Sequence, residues 1–300
     1  MRAESAGLRS TLAHLRFPFS FFLLPVFLAA LALAGSIEVG RAVAALLVMH
    51  FLLYPASQGF NSYYDRDLGP IGGLRSPPPI HATLLPASLA LDLAALVAGT
   101  LLCGPLFGLG LLAYGLSSKL YSWDRSRWKA RPFAGWLMTG LGQGGLTFCL
   151  VIVAVDRGGL SALGPGVWAA ALAISVLLLG VFPLTQVYQH AEDEARGDLT
   201  ISRLLGLRGT FMLAGLCLSA GLLGLATLVG ARSGPPWALA LLLFQAPAAL
   251  FFGTWFGRVL RDPGAADFAS AMRMNLLASG LLNLYFVLYL AFAGRGSFHV

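Results

Sequence analysis

The sequence predicts an all-α integral membrane protein: nine transmembrane helices in one bundle, with a polar site on a single face. Three observations carry that prediction. The 300 residues are 57% hydrophobic and only 11% charged, where a soluble domain carries about a quarter charged residues. Apolar runs recur along the whole chain, most of them near the ~20 residues that a helix needs to cross a bilayer. These runs are rich in Leu and Ala with Gly and Pro between them, and they lack the alternation of barrel strands.

In chain order, Met1 to Arg16 reads as a polar, basic leader, and residues 17–300 as one nine-helix membrane domain. The first span is expected at 17–37. Its Ala-Leu-Ala-Gly ending imitates a signal-peptide cleavage site, but the run is long enough to span and eight more follow. The others are expected at 41–60, 83–103, 105–121, 133–155, 167–189, 209–230, 236–257 and 274–293, the third and fourth separated only by Gly104-Pro105. Nine spans put the N-terminus and the loops after spans 2, 4, 6 and 8 on one face. Sixteen of the 20 Lys and Arg residues fall there, against Arg41, Arg157, Arg232 and Arg295 on the other. Positive charge marks the cytoplasmic side, so a multi-pass protein of the inner (cytoplasmic) membrane is expected, its N-terminus and site cytoplasmic. The net charge of +7 sits in short loops and forms no stripe on a soluble face, which argues against a nucleic-acid partner. Cys103, Cys149 and Cys217 all lie in apolar runs without CxxC spacing and read as small core residues.

Three polar clusters fall on the basic face. The first, Asn61 to Asp67, follows the second span directly, and polar groups at that depth are expensive unless used. Asn61 and Asp65 are four apart and share a helical face; hard oxygen ligands so placed suit Mg²⁺ carrying a phosphate. Arg66, Arg75, Gly69, Gly72 and Gly73 add positive charge and a pliable backbone for an anion. The second cluster, Tyr188 to Thr200, repeats the four-residue spacing at Gln189 and Asp193. Two such half-sites facing each other suit Mg²⁺ ions bridging one diphosphate. Glu192 and Glu194 read as solvated helix-end charges. The third cluster, Lys119 to Pro132, holds Lys119, Arg125, Arg127, Lys129 and Arg131, cations suited to a diphosphate. Asp92 falls inside the third span, where it reads either as an acceptor contact or as a hydrogen-bonded packing residue. His14 and His50 read as structural, Asn275 and Asn283 as interhelical hydrogen bonders. His190, beside the second cluster, is a candidate base.

Together these clusters resemble the UbiA superfamily of intramembrane prenyltransferases over nearly the whole chain. The family's NxxxDxxxD matches at Asn61 and Asp65, with Gly69 in place of the last Asp and Asp67 as the neighbouring substitute. Residues 121–131 look like its YSxxxxRxKxR stretch. Its DxxxDxxxG with a following Thr matches at Asp193, Gly197 and Thr200, with Gln189 in place of the first Asp. The resemblance implies Mg²⁺-dependent transfer of an isoprenyl chain from an isoprenyl diphosphate to a lipophilic acceptor. It implies catalytic roles for Asn61, Asp65 and Asp193, metal contacts from these with Asp67 and Gln189, and diphosphate contacts from Arg127, Lys129 and Arg131, to which Arg66 and Arg75 add charge. Each departure removes an anionic ligand, and metal affinity falls with ligand charge. A weakened relative that binds or transports a lipid or diphosphate is therefore the alternative. A purely structural membrane protein leaves the matched i,i+4 pairs unexplained.

Overall fold

A computed structural model describes residues 2–293 and 298–299. Its long helices are α1 (Arg2–Leu15), α2 (Leu24–Leu33), α3 (Val39–Asp65), α4 (Leu84–Cys103), α5 (Pro105–Ser122), α6 (Pro132–Val155) and α7 (Pro165–Leu184). A short α8 (His190–Ala195) is followed by α9 (Ile201–Ser233), α10 (Pro235–Val259) and α11 (Phe268–Phe292). Two-residue strands, Ile37–Glu38 and Phe298–His299, pair in parallel. Arg295, one of the four basic residues expected on the far face, lies outside the described residues.

Seven of these helices are long and apolar enough to cross a membrane: α3, α4, α6, α7, α9, α10 and α11. The first expected span is instead a bent pair, Gly7–Phe22 and Leu24–Leu33, meeting at 40°; counted as one span it makes an eighth. Helix α5 fills the fourth expected position but is not among the seven, because Ser117, Ser118 and Lys119 dilute its apolar character. The protein is thus an all-α, multi-pass membrane protein with seven or eight candidate spans among the described residues, against the nine expected.

Proline and glycine set most boundaries. Helices α5, α6, α7 and α10 each begin with Pro, whose fixed φ and missing N–H suit the first helical turn. Gly104 and Gly234, at φ 100° and 97°, each end one helix and start the next, a conformation that only glycine adopts cheaply. The expected span 167–189 stops early, at Leu184. Pro183 sits in its last turn, where its ring and missing N–H disfavour continuation, and the N–H groups of Thr185 and Gln186 donate to Phe182 O and Pro183 O in tight turns. Gln189 is consequently not on that helix; it caps α8, and Asp193 N donates to Gln189 O at 2.9 Å. Helix α9 starts eight residues before the expected 209 and kinks at Gly206 (φ 65°), where the Thr210 hydroxyl donates to Gly206 O and to Ser202 O.

The expected leader is helix α1, docked with its polar side inward. Ser10 donates to Pro79 O, Thr11 meets Thr83, and the His14 ring meets Pro78 O at 2.8 Å. Leu8 and Leu12 face outward. The bundle centre is α7 against α6 and α9, and its closeness depends on glycine. A Cβ at Gly221 would lie 2.7 Å from Leu177 N and 2.8 Å from Ala173 O; one at Gly144 would lie 2.7 Å from Ser175 Cα. Gly221→Val and Gly144→Val are each expected to lower stability by about 1–3 kcal/mol through overpacking. Thermal unfolding in detergent checks this, with Gly253→Ala, whose Cβ meets nothing within 4 Å, leaving the midpoint level or slightly raised.

Candidate active site

Three loops converge at one end of the bundle. The last turn of α3 presents Asn61 and Asp65 before Arg66 ends the helix in the left-handed region (φ 50°). Asn61 Oδ1 accepts a hydrogen bond from Ser122 Oγ at 2.8 Å. Asp65 is ion-paired with Lys129 Nζ, both side chains nearly fully buried. Lys129 lies on the turn Trp128–Ala130, whose entry at Arg127 is also left-handed (φ 39°). Asp67 pairs with Arg196 at 2.6 Å, and Arg196 also holds Glu192 at 2.8 Å. Asp198 takes both fork nitrogens of Arg127, at 2.9 and 2.8 Å. Asp193 accepts from the Thr200 hydroxyl at 3.3 Å.

These residues enclose a cavity of about 240 Å³. It is lined by Asn61, Asp65, Asp67, Lys129, Gln189 and Asp193, by Asp198 of the second cluster, and by Arg16 and Arg196, which the sequence did not single out. Arg66, Arg75 and Arg131 are exposed and do not line it, and Arg127 does not line it either, being held by Asp198. Arg66 sits over the Tyr63 ring instead. Arg16 donates to Gly72 O at 3.1 Å and stacks on Phe19. The signal for Arg196 was its i+4 spacing from Glu192; nothing local marks Arg16.

Several other expectations take definite positions. Glu192 is not a free surface charge, because its side chain is only 23% exposed and Leu68 N donates to it at 2.9 Å. Glu194 is 76% exposed and meets Arg203 at 3.5 Å. Gln189 Nε2 donates to Pro70 O at 3.3 Å. His190 bonds Ser202 and does not line the cavity. Asp92 is paired with Lys119, Asn283 donates to Phe21 O, and Asn275 borders the cavity.

Burial dominates the electrostatics. It pushes the Asp193 carboxyl up to about 6, helped by the negative charge of Asp198, and draws Lys129 down to about 8 against the pull of Asp198. Asp67 is raised for the same reason, with Arg196 opposing. Among the described residues no three His, Cys, Asp or Glu side chains gather closely enough for a metal cage. The donors that line the cavity are oxygens, Asn61, Asp65, Asp67, Gln189 and Asp193. Such a set fits Mg²⁺, which usually takes one or two carboxylates and completes its shell with water and substrate phosphate.

A second cavity of about 330 Å³ adjoins the first, sharing Phe22, Leu178, Val181 and Asn275 with it. Its walls are mainly apolar, among them Ile174, Leu177, Leu218, Leu222, Phe252 and Leu282. Aromatic side chains also line the polar cavity: Phe19, Phe22, Tyr114, Tyr121 and Phe182.

Residues 22–277 match the model of the UbiA prenyltransferase family. Among solved structures, a UbiA homolog from Archaeoglobus fulgidus bound to GPP and Mg²⁺ aligns with a TM-score of 0.66 at 16% identity, covering 94% of this chain and 99% of that one. A UbiA homolog from Aeropyrum pernix K1 in its apo form gives 0.63 at 17% identity, covering 92% and 97%. A structure of digeranylgeranylglyceryl phosphate synthase gives 0.57 at 14%, covering 96% and 99%. These likenesses establish a shared fold. No protein of curated function matches the sequence.

The raised carboxyl of Asp193 gives a pH signature to the metal-free protein. Its folded value lies above the ordinary 3.8, so its stabilising contribution is full below that value and is lost as pH rises through about 6. Asp193→Asn removes that loss. In EDTA, the variant's thermal midpoint is expected to gain on the natural protein's between pH 4 and pH 7; a gap constant with pH would refute the assignment.

Proposed function

Because the chain belongs to the UbiA prenyltransferase family, we propose that it transfers an isoprenyl chain from an isoprenyl diphosphate to a lipophilic acceptor, releasing diphosphate. The observation that carries this reading is the adjacency of the two cavities: a charged chamber suited to a diphosphate shares Phe22, Leu178, Val181 and Asn275 with an apolar one suited to its hydrocarbon tail. The ligands bound to the Archaeoglobus fulgidus homolog, GPP and Mg²⁺, support it. The same proposal takes the bent pair and α5 as spans, giving nine, and sets the charged mouth and the N-terminus on the cytoplasmic side of the inner membrane. The concentration of Lys and Arg in the loops of that end supports this orientation.

Asn61, Asp65 and Asp193 would hold Mg²⁺, with Asp67 and Gln189 beside them. When bound, the metal neutralises charge on the departing diphosphate. Lys129 and Arg196 present cations at the cavity wall and draw the phosphate oxygens; Arg127 acts through Asp198, which it fixes in place. The allylic C–O bond breaks and its electron pair leaves with the diphosphate. Tyr114, Tyr121 and Phe182 offer π faces to the allylic cation, and the apolar walls keep water from it. An acceptor carbon or oxygen then supplies the electron pair for the new bond and releases a proton.

The test is release of inorganic diphosphate from geranyl, farnesyl or geranylgeranyl diphosphate by the protein in lipid, with membrane extract as the acceptor source. Release is expected to require Mg²⁺ and to fall about 100-fold or more in Asp65→Ala and Asp193→Ala, the scale for losing a group that stabilises developing charge. Release that persists in EDTA or in both variants would overturn the proposal. Retention of the diphosphate without release would mark the binding or transport relative.

A further inference from the structure

The first loop has Gly at position 69, where the family resemblance implies a carboxylate, and the second loop puts one in the space where it would stand. Gly69 is not a glycine of necessity. Its φ is not positive, unlike that of Gly73 four residues on, so its backbone accepts a side chain. The obstacle is across the mouth. A Cβ at position 69 would lie 2.8 Å from Glu192 Oε2, and an aspartate there would bring two carboxylates into contact. Glu192 is bound as a resident of that corner: Leu68 N donates to its Oε1 at 2.9 Å and Gly69 N at 3.5 Å. Arg196 spans it and Asp67, at 2.8 and 2.6 Å.

We infer that Glu192 is a positioning residue that supplies, from the second loop, the carboxylate missing from the first. It does not line the cavity, whereas Arg196 and Asp67 do. It acts through them, fixing the backbone of Leu68 and Gly69 and holding the Arg196 fork so that its other edge meets Asp67. The inference rests on the reading of this mouth as a diphosphate site, and it makes positions 69 and 192 interchangeable hosts for one negative charge.

An exchange tests it. Glu192→Gly removes the charge, Gly69→Asp adds a second one, and the double variant moves it from one loop to the other at unchanged net charge. Mg²⁺-dependent binding of geranyl diphosphate, measured by calorimetry on the full chain in detergent, is expected to weaken about 10–100-fold in Glu192→Gly, the scale for losing a supporting contact around a metal site. It is expected to weaken in Gly69→Asp through repulsion and to recover to within a few-fold of the natural protein in the double variant. Undiminished binding in Glu192→Gly, or no recovery in the double, overturns the inference while leaving the prenyl-transfer reading intact. If the natural protein binds none of geranyl, farnesyl and geranylgeranyl diphosphate, that reading fails, and the thermal midpoints of the same four proteins in EDTA decide the exchange. Two lowered singles with a restored double support it; additive losses overturn it.

Discussion

A charge buried at the end of an apolar bundle must be paired, and the shape of this mouth follows from how three loops meet that demand. Each loop pairs with both of the others. Asp65 at the end of α3 holds Lys129 of the loop after α5; Asp67 holds Arg196 at the end of α8; Asp198, just beyond α8, holds Arg127. The three pairs form a closed triangle, so no loop moves without opening two of them. Opening a buried pair costs about 3–5 kcal/mol when one partner is left behind, while the exposed contact of Glu194 with Arg203 contributes well under that. The cavity walls are therefore set by the buried pairs.

The same constraint says what can enter. A lone anion would satisfy Lys129 and Arg196 but strand Asp65 and Asp67; a lone cation would do the reverse. A ligand that brings both signs leaves no charge bare, because the carboxylates turn to its cation as the basic side chains turn to its anion. A metal-bound diphosphate has that character. Under the proposed function its hydrocarbon tail would lie away from these charges, beyond Phe22, Leu178 and Val181, where the walls become apolar.

Much of this was legible in the sequence because it depends on local spacing. Apolar length located nearly every helix, and the four-residue intervals placed Asn61 with Asp65 and Gln189 with Asp193 around one cavity. What spacing does not encode is termination and direction. Pro183 cuts a continuous apolar run at Leu184, and the polar face of α1 turns inward onto Pro78, Pro79 and Thr83. Cations were harder still. Arg66, Arg75, Arg127 and Arg131 are as basic as Arg16 and Arg196, but which ones line the cavity depends on tertiary pairing between residues remote in the chain, such as Arg16 with Gly72, Arg127 with Asp198 and Arg196 with Asp67. Glu192 was read as solvated for the same reason, since its partners Leu68 and Gly69 are remote in the chain.

The two departures from the family pattern are the clearest instance, because they lie on one seam. Gly69 faces Glu192, and Gln189 donates through Nε2 to the carbonyl of Pro70, the next residue along. A carboxylate at 189 could not make that bond; it has no proton to give, and it would set negative charge against a carbonyl oxygen. An amide suits the place. An acid at 69 would likewise meet an acid already held there by Leu68 N and Arg196. Read singly, each change removes a metal ligand and weakens the case for chemistry. Read as neighbours, they form a seam between the first and second loops: one side lends a carboxylate and an amide, the other offers two N–H groups and a carbonyl. The mouth keeps Asp65, Asp67 and Asp193 facing its cavity, while the acid at its corner has changed loops.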